Sequence, residues 1–255
     1  MRAVTEQFRV LRALIVRELM MRYGRDGGGF AWVIVEPMLL CVGVTTIWML
    51  VKPEFEKGVV VAALVFTGYM PLTLWRHLTN PAVHLLRNNR MLFYHRAVST
   101  LDLFWCRQIL EFTATSAAFL LVYLALLGLG FVQPIHDWSL CLAAWLIMAY
   151  VACAASMLFA VATEVYEWSE RIVQPFQYLL IPISGTFFIV EWLPQGARDL
   201  IWYNPLIHAY EMMRAGFIGP SLTTYWTWWY PLTFSTVVLC VGAFGVEAAR
   251  RRLHV

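Results

Sequence analysis

Charge is what this sequence lacks most. Of 255 residues, only 14% are charged and 60% are hydrophobic, against about 25% and 45–50% in a soluble domain. The surface of a soluble protein of this size cannot be covered so sparsely, which excludes a soluble enzyme and implies an apolar solvent. Lysine is nearly missing: Lys52 and Lys57 are the only two. A phosphate-cradling GxxxxGK[ST] loop needs a lysine after glycine, and neither position offers one. ATP chemistry, and the ATP and magnesium it uses, therefore belong to another subunit, and no cofactor is expected on this chain. Cysteine is scarce and scattered (41, 106, 141, 153 and 240), with no CxxC and no Cys/His ligand set, so neither a disulfide nor zinc is supported. There is no GxSxG elbow. His77, His84, His95, His136, His208 and His254 are too dispersed for a catalytic site and read as interfacial or packing residues. No acid falls at the centre of an apolar run, so a proton relay lacks its parts. Glu36, Glu111 and Glu247 sit near run ends, and Glu36 is expected to pair with Arg22 or Arg25.

What is present is a set of long apolar runs. Six are long enough to cross about 30 Å of hydrocarbon: 30–51, 59–75, 109–131, 138–163, 172–190 and 228–246. They are continuous rather than alternating, which excludes an outer-membrane barrel. The expected fold is an all-α polytopic membrane bundle of six helices. The positive residues sort by loop: fifteen of nineteen fall in the N-terminal segment, the second loop, the fourth loop and the C-terminal end. By the positive-inside rule both termini are cytoplasmic. Most of the twelve tryptophans lie near span ends, as an interfacial belt requires, whereas Trp145 lies deeper. No cleavable signal peptide is visible.

Between the spans, four segments stand out. Residues 1–29 read as a cytoplasmic amphipathic interface helix, with Val4, Phe8, Leu11, Ile15 and Leu19 on one face, ended by a glycine turn. The basic loop 76–107 contains Arg87, Asn88, Asn89, Arg90 and Tyr94, and is either a solvated loop beside anionic lipid or a docking element for a cytoplasmic partner. The outer segment 191–227 is apolar but broken by Pro194, Gly196, Pro205, Gly216, Gly219 and Pro220, so it cannot cross as one helix. Short re-entrant or interfacial helices are expected, as a structural lid or a gate. Residues 248–255 form a basic tail. Within span five, Pro175 and Pro182 kink the helix, and Gln174 and Gln177 suit a polar cavity or a buried interhelical contact. Ala152, Ser156 and Ala160 permit close helix packing. Glu164, Glu167 and Glu170 read as an acidic helical face.

Three of these stretches together resemble one family. Arg22-Tyr23-Gly24-Arg25, the following glycines, Phe30-Ala31-Trp32 and Glu36-Pro37 resemble the RYxxxxxGxxWxxxxP entry of polysaccharide-exporting ABC transporter permeases. Arg90 to Tyr94, with Asp102, Arg107 and Glu111, resembles their first coupling loop. Trp202, Asn204, Pro205, Leu206, His208, Glu211 and Arg214 match their WxNPLxHxxExxR stretch. Within the class the chain most resembles the capsular-polysaccharide (KpsM-like) inner-membrane permeases, with O-antigen and teichoic-acid permeases as alternatives. The resemblance implies a homodimer bound to two cytoplasmic ATP-binding subunits. It also implies a periplasmic co-polymerase, an outer-membrane export protein and a lipid-linked polysaccharide as cargo; membrane lipids are partners, and nucleic acid is not. It further implies that Arg22, Arg25 and Trp32 contact the polymer or its lipid head, that Arg87 to Tyr94 couple to the ATPase, and that Trp202 to Arg214 shape an outer gate. Gln174 and Gln177, in their polar stretch of span five, are expected on the same substrate path. A small-molecule exporter and a membrane-embedded glycolipid transferase are the competing readings.

Overall fold

The computed structural model describes residues 2–23, 28–51, 55–56, 59–85, 89, 99–166 and 168–253. Nine α-helices are present among them: α1 (Arg2–Tyr23), α2 (Gly28–Val51), α3 (Val61–Thr79), α4 (Thr100–Gly128), α5 (Trp138–Val165), α6 (Ser169–Leu180), α7 (Gln195–Ile201), α8 (Pro205–Ile218) and α9 (Trp229–Leu253). The only strands among the described residues form a two-stranded antiparallel pair, Phe55–Glu56 with Val59–Val60, after α2.

Helices α4, α5 and residues Trp229–Val246 of α9 are long and apolar enough, among the described residues, to cross a membrane. Their outward surfaces are greasy. Leu120, Leu121 and Leu124 on α4, Leu142 and Leu146 on α5, and Phe234, Val237, Val241 and Phe244 on α9 are all exposed. So large an apolar surface is stable against lipid rather than water. Helix α3 is less apolar because its last turn carries Arg76 and His77. It is also the most enclosed: among its residues only Tyr69, Arg76 and His77 escape burial. A helix surrounded by protein can hold polar groups that a lipid-facing helix cannot.

The centre is aromatic. Phe66 of α3 packs on Phe119 of α4 and Phe217 of α8 at 4.9 and 5.3 Å, and Phe119 packs on Trp145 of α5 at 4.8 Å. Burial of Trp145 leaves no orphan, because its indole N–H donates to Ser116 at 2.9 Å. Small residues set the closest approaches. Ala152, Ser156 and Ala160 are buried as expected. A Cβ on Gly242 of α9 would lie 2.7 Å from Met157 of α5, and one on Gly245 the same distance from Val161.

Several expected boundaries move, each for a local reason. The fifth span, 172–190, is not one helix. Helix α6 stops at Leu180, a 3-10 turn covers Ile181–Ile183, and the chain is irregular until a second 3-10 turn at Val190–Trp192. Pro175 is tolerated within α6, but Pro182 sits where the α-helix has already ended. At 12 residues α6 is about 18 Å long, too short to cross alone. The third span starts earlier than the expected 109, inside the basic loop: Ser99 caps α4, and its capping box with Asp102 makes 100–107 helical. Of the expected acidic face, Glu167 lies outside the described residues, and Glu164 and Glu170 fall on different helices. Helix α5 ends at Val165, and Glu170, now on α6, meets His84 at 2.7 Å. The basic tail continues α9 as helix to Leu253. Among the described side chains of α1, Leu14 and Glu18 are the buried ones, the latter 3.7 Å from Arg107 of α4, so the docked face lies to one side of Leu11, Ile15 and Leu19.

Candidate functional site

The WxNPLxHxxExxR stretch folds into a buried hub, and the fold shows why. Asn204 is the N-cap of α8: its side-chain oxygen accepts from Leu206 N–H at 3.1 Å, and Pro205 occupies the first helical position. The other end of the Asn204 amide donates to the Ile183 carbonyl at 3.2 Å, tying the helix start to the break after α6. From there, positions 208, 211 and 214 fall on one face at three-residue steps. That face turns inward, against α3, α5 and the irregular segment 184–190.

Arg214 is wholly buried. Its Nη1 donates to the Phe188 carbonyl at 2.6 Å and to Glu211 at 3.4 Å; its Nη2 donates to the carbonyls of Gly185 and Thr186 at 2.6 and 3.1 Å. A broken helix leaves carbonyls that lipid cannot satisfy, and a guanidinium fork supplies the missing donors. Glu211 does the complementary work. Its two oxygens accept the backbone N–H groups of Val190 and Tyr225, each at 3.2 Å. The Arg214–Glu211 pair therefore bonds two separate stretches of backbone outside the α-helices, 185–190 and 225. Beside it, Thr186 donates to the Tyr210 hydroxyl at 3.0 Å, and Ser184 meets Thr186 at 2.7 Å.

His208 completes the hub one turn earlier. Thr227 N–H donates to Nδ1 at 3.1 Å, while Nε2 faces the Trp202 carbonyl at 3.0 Å. Those partners fix a neutral imidazole with the proton on Nε2. The ring also meets the Trp202 and Tyr230 rings at 4.6 and 5.2 Å.

Two glycines make the hub possible. A Cβ on Gly68 of α3 would sit 2.1 Å from the Thr186 carbonyl oxygen, so only glycine lets that turn reach Arg214. Gly185 has a positive φ of 93°. At the far end of α8, Gly216 and Phe217 carbonyls accept the N–H groups of Asp137 and His136 at 2.8 and 3.4 Å. Asp137 in turn caps α5, bonding Ser139 and Leu140. The Ser139 hydroxyl, then the Leu140 amide, hold its carboxyl below the usual carboxylate range.

The expected residues thus fall into groups. Trp202, Asn204, Pro205, His208, Glu211 and Arg214 are brought together, but only Trp202 is exposed; the rest position backbone rather than line a surface. Gln177 is buried, its Oε1 accepting from Thr79 at 3.3 Å and its Nε2 without a protein partner among the described residues, while Gln174 is exposed. Asn89 is buried and donates to the Leu85 carbonyl at 2.9 Å. Arg25, Arg87, Asn88, Arg90 and Tyr94 lie outside the described residues, as do the side chains of Arg22, Trp32 and Glu36. Sequence reasoning missed Gly68 and Tyr210. A glycine within the apolar run of α3 was the available signal, since it marks close backbone approach.

The comparisons with known proteins bear on this arrangement. Residues 9–218, ending with α8, match the family model described as ABC-2 type transporter. The chain belongs to the ABC-2 type transporter family. It is a membrane protein, a transport permease rather than an enzyme, and the family implies association with an ATP-binding subunit. It is 34% identical over 236 residues to the capsule polysaccharide export inner-membrane protein CtrC of Neisseria meningitidis, covering 92% of this chain and 89% of that protein. It is 32% identical over 241 residues to the capsule polysaccharide export inner-membrane protein BexB of Haemophilus influenzae, covering 94% and 91%. Similarity to the polysialic acid transport protein KpsM of Escherichia coli is lower, 22% over 232 residues, covering 91% and 90%.

Proposed function

We propose that this chain is the inner-membrane permease of an ATP-driven capsular polysaccharide exporter. A pair of copies forms the passage, and two cytoplasmic subunits hydrolyse ATP. The observation that carries this reading is the 32–34% identity, over more than nine-tenths of the chain, to capsule export inner-membrane proteins of two organisms. The cargo is a polysaccharide on a lipid terminus. Both chain termini lie on the cytoplasmic side, and the interrupted segment after α6 completes a six-pass arrangement together with the outer helices α7 and α8.

The physical features fit moving a polymer. No acid falls at the centre of an expected span, where an ion-coupled carrier would need one, while hydroxyl, amide and aromatic groups suit sugar hydroxyls and C–H faces. Arg22, Arg25 and Trp32 meet the polymer or its lipid head at the cytoplasmic mouth, with Gln174 and Gln177 further in. The basic segment Arg87, Asn88, Asn89, Arg90 and Tyr94 transmits closure of the ATP-binding subunits as a rigid-body movement. A periplasmic co-polymerase and an outer-membrane export protein continue the path.

Deletion of the gene in its own host tests the reading. The expected result is loss of surface polymer with polymer retained inside the cell, restored by the intact gene. Unchanged surface polymer, or altered drug tolerance as the sole phenotype, refutes it.

A further inference from the structure

The outer segment contains a cavity of about 540 Å³, bounded by residues from the Val190–Trp192 turn, α7 and Tyr225. Its volume lies within the range of about 300–1,000 Å³ typical of small-ligand sites. We infer that this cavity is a binding subsite for one or two sugar residues of the polymer, next to the hub rather than inside it. The inference rests on the polysaccharide reading and names where the outer segment holds its cargo.

The lining chemistry selects the ligand. Trp202 and Tyr225 contribute half-exposed rings, whose faces suit the C–H patches of a sugar. Among them stand unspent polar groups. The Gln195 amide, Asp199 carboxylate, Trp202 indole N–H and Tyr225 hydroxyl have no side-chain hydrogen-bond partner among the described residues. Arg198 is pinned by two of its nitrogens: Nε donates to the Leu193 carbonyl at 2.7 Å and Nη2 to the Glu191 carbonyl. Its guanidinium carbon lies 5.5 Å from the Tyr225 ring centroid, and Nη1 is left over as a donor. A ligand that both donates and accepts in several directions meets this set, as sugar hydroxyls do. A lipid tail does not, because two charges and two amide or indole groups would lose water without return. An isolated phosphate fits less well, because Asp199 follows Arg198 in the same lining and offsets its charge.

The walls are pre-set by α8. Glu211 holds the backbone at Val190 and at Tyr225, and His208 holds the Trp202 carbonyl and packs on its ring. Three of the lining positions are thus fixed by two buried side chains of one helix. Held walls lower the ordering cost of binding, and they give the buried motif a purpose beyond stability: His208 and Glu211 are positioning residues for this subsite.

The test uses the full-length chain purified into nanodiscs and saturation-transfer NMR. The probes are three disaccharides (cellobiose, chitobiose and digalacturonate), with glycerol phosphate as a mimic of a lipid headgroup. At least one disaccharide is expected to give a saturable signal. Asp199→Ala and Gln195→Ala, both at exposed positions, should weaken it about tenfold for the charged contact and less for the neutral one. Trp202→Ala should abolish it, with unchanged melting of the Asp199 and Gln195 variants separating lost contacts from lost fold. Binding of no disaccharide, equal binding by all variants, or binding of glycerol phosphate alone overturns the subsite. That failure leaves the exporter reading standing if gene deletion still removes surface polymer, whereas persistence of surface polymer refutes the exporter reading itself.

Discussion

Replacing Arg214 by methionine isolates the central structural device. The side chain fills a similar volume but removes every donor. Three backbone carbonyls, at Gly185, Thr186 and Phe188, lose partners at 2.6 to 3.1 Å, and Glu211 loses its cationic neighbour at 3.4 Å. Breaking one partner of a buried ion pair costs about 3–5 kcal/mol, largely because the other charge is stranded. The unpaired carbonyls contribute to the same loss, each worth about 1–3 kcal/mol if no water reaches it. The expected destabilisation of Arg214→Met is therefore at least about 3 kcal/mol. Removing the stranded charge as well should return part of it. The double variant Arg214→Met with Glu211→Gln is predicted to be less destabilised than the sum of the two single changes by at least about 1 kcal/mol. Reversible unfolding in mixed detergent micelles, run on all four proteins, gives the cycle. Strict additivity, or an Arg214→Met protein within about 0.5 kcal/mol of the parent, refutes the hub as the fastener of the broken segment.

Further outcomes follow from the same geometry. Gly68→Ala forces a Cβ to within 2.1 Å of the Thr186 carbonyl, so it should destabilise by at least about 1–3 kcal/mol and lower membrane-integrated yield. Gly219→Ala combines a φ of 81° with a Cβ 2.7 Å from the His136 ring, and should lower the melting point while Gly43→Ala, with open space, should not. The lowered carboxyl value of Asp137 stabilises the fold above its usual 3.8 and is lost as pH falls through the lowered value. Asp137→Asn should thus melt slightly below the parent at pH 7, show a shallower decline under acid and converge with the parent once Asp137 is protonated. Arg90→Glu should impair assembly with the ATP-binding subunit or the stimulation of its hydrolysis; normal coupling in that variant would remove the docking role.

The bundle was largely legible because lipid leaves few choices. Apolar runs of sufficient length predicted α5 closely, the start of α9 and most of α4, and the small residues on α5 predicted close packing. The capping pair Ser99 and Asp102 was present in the sequence, yet the positive charges around it made that stretch read as loop. Segment 172–190 misled for a different reason. Its composition is apolar enough to span, and the residues that make a break tolerable lie elsewhere: Arg214 some thirty positions on, and Gly68 on α3. Hydropathy windows carry no information about such distant donors. The motif around Trp202 was legible as a pattern but not in its working direction. Spacing alone puts His208, Glu211 and Arg214 on one face; only the contacts reveal that this face turns inward to hold backbone, leaving Trp202 and the neighbouring α7 at the surface.

The most direct measurement of the central claim is reconstitution. The chain is placed in sealed vesicles with its ATP-binding subunit, and labelled lipid-linked polysaccharide is supplied on the side where ATP is added. The account predicts ATP-dependent appearance of polymer in the opposite compartment, with no ATP hydrolysis by this chain alone. Hydrolysis by the purified chain, or polymer transfer that proceeds equally without ATP, would contradict it.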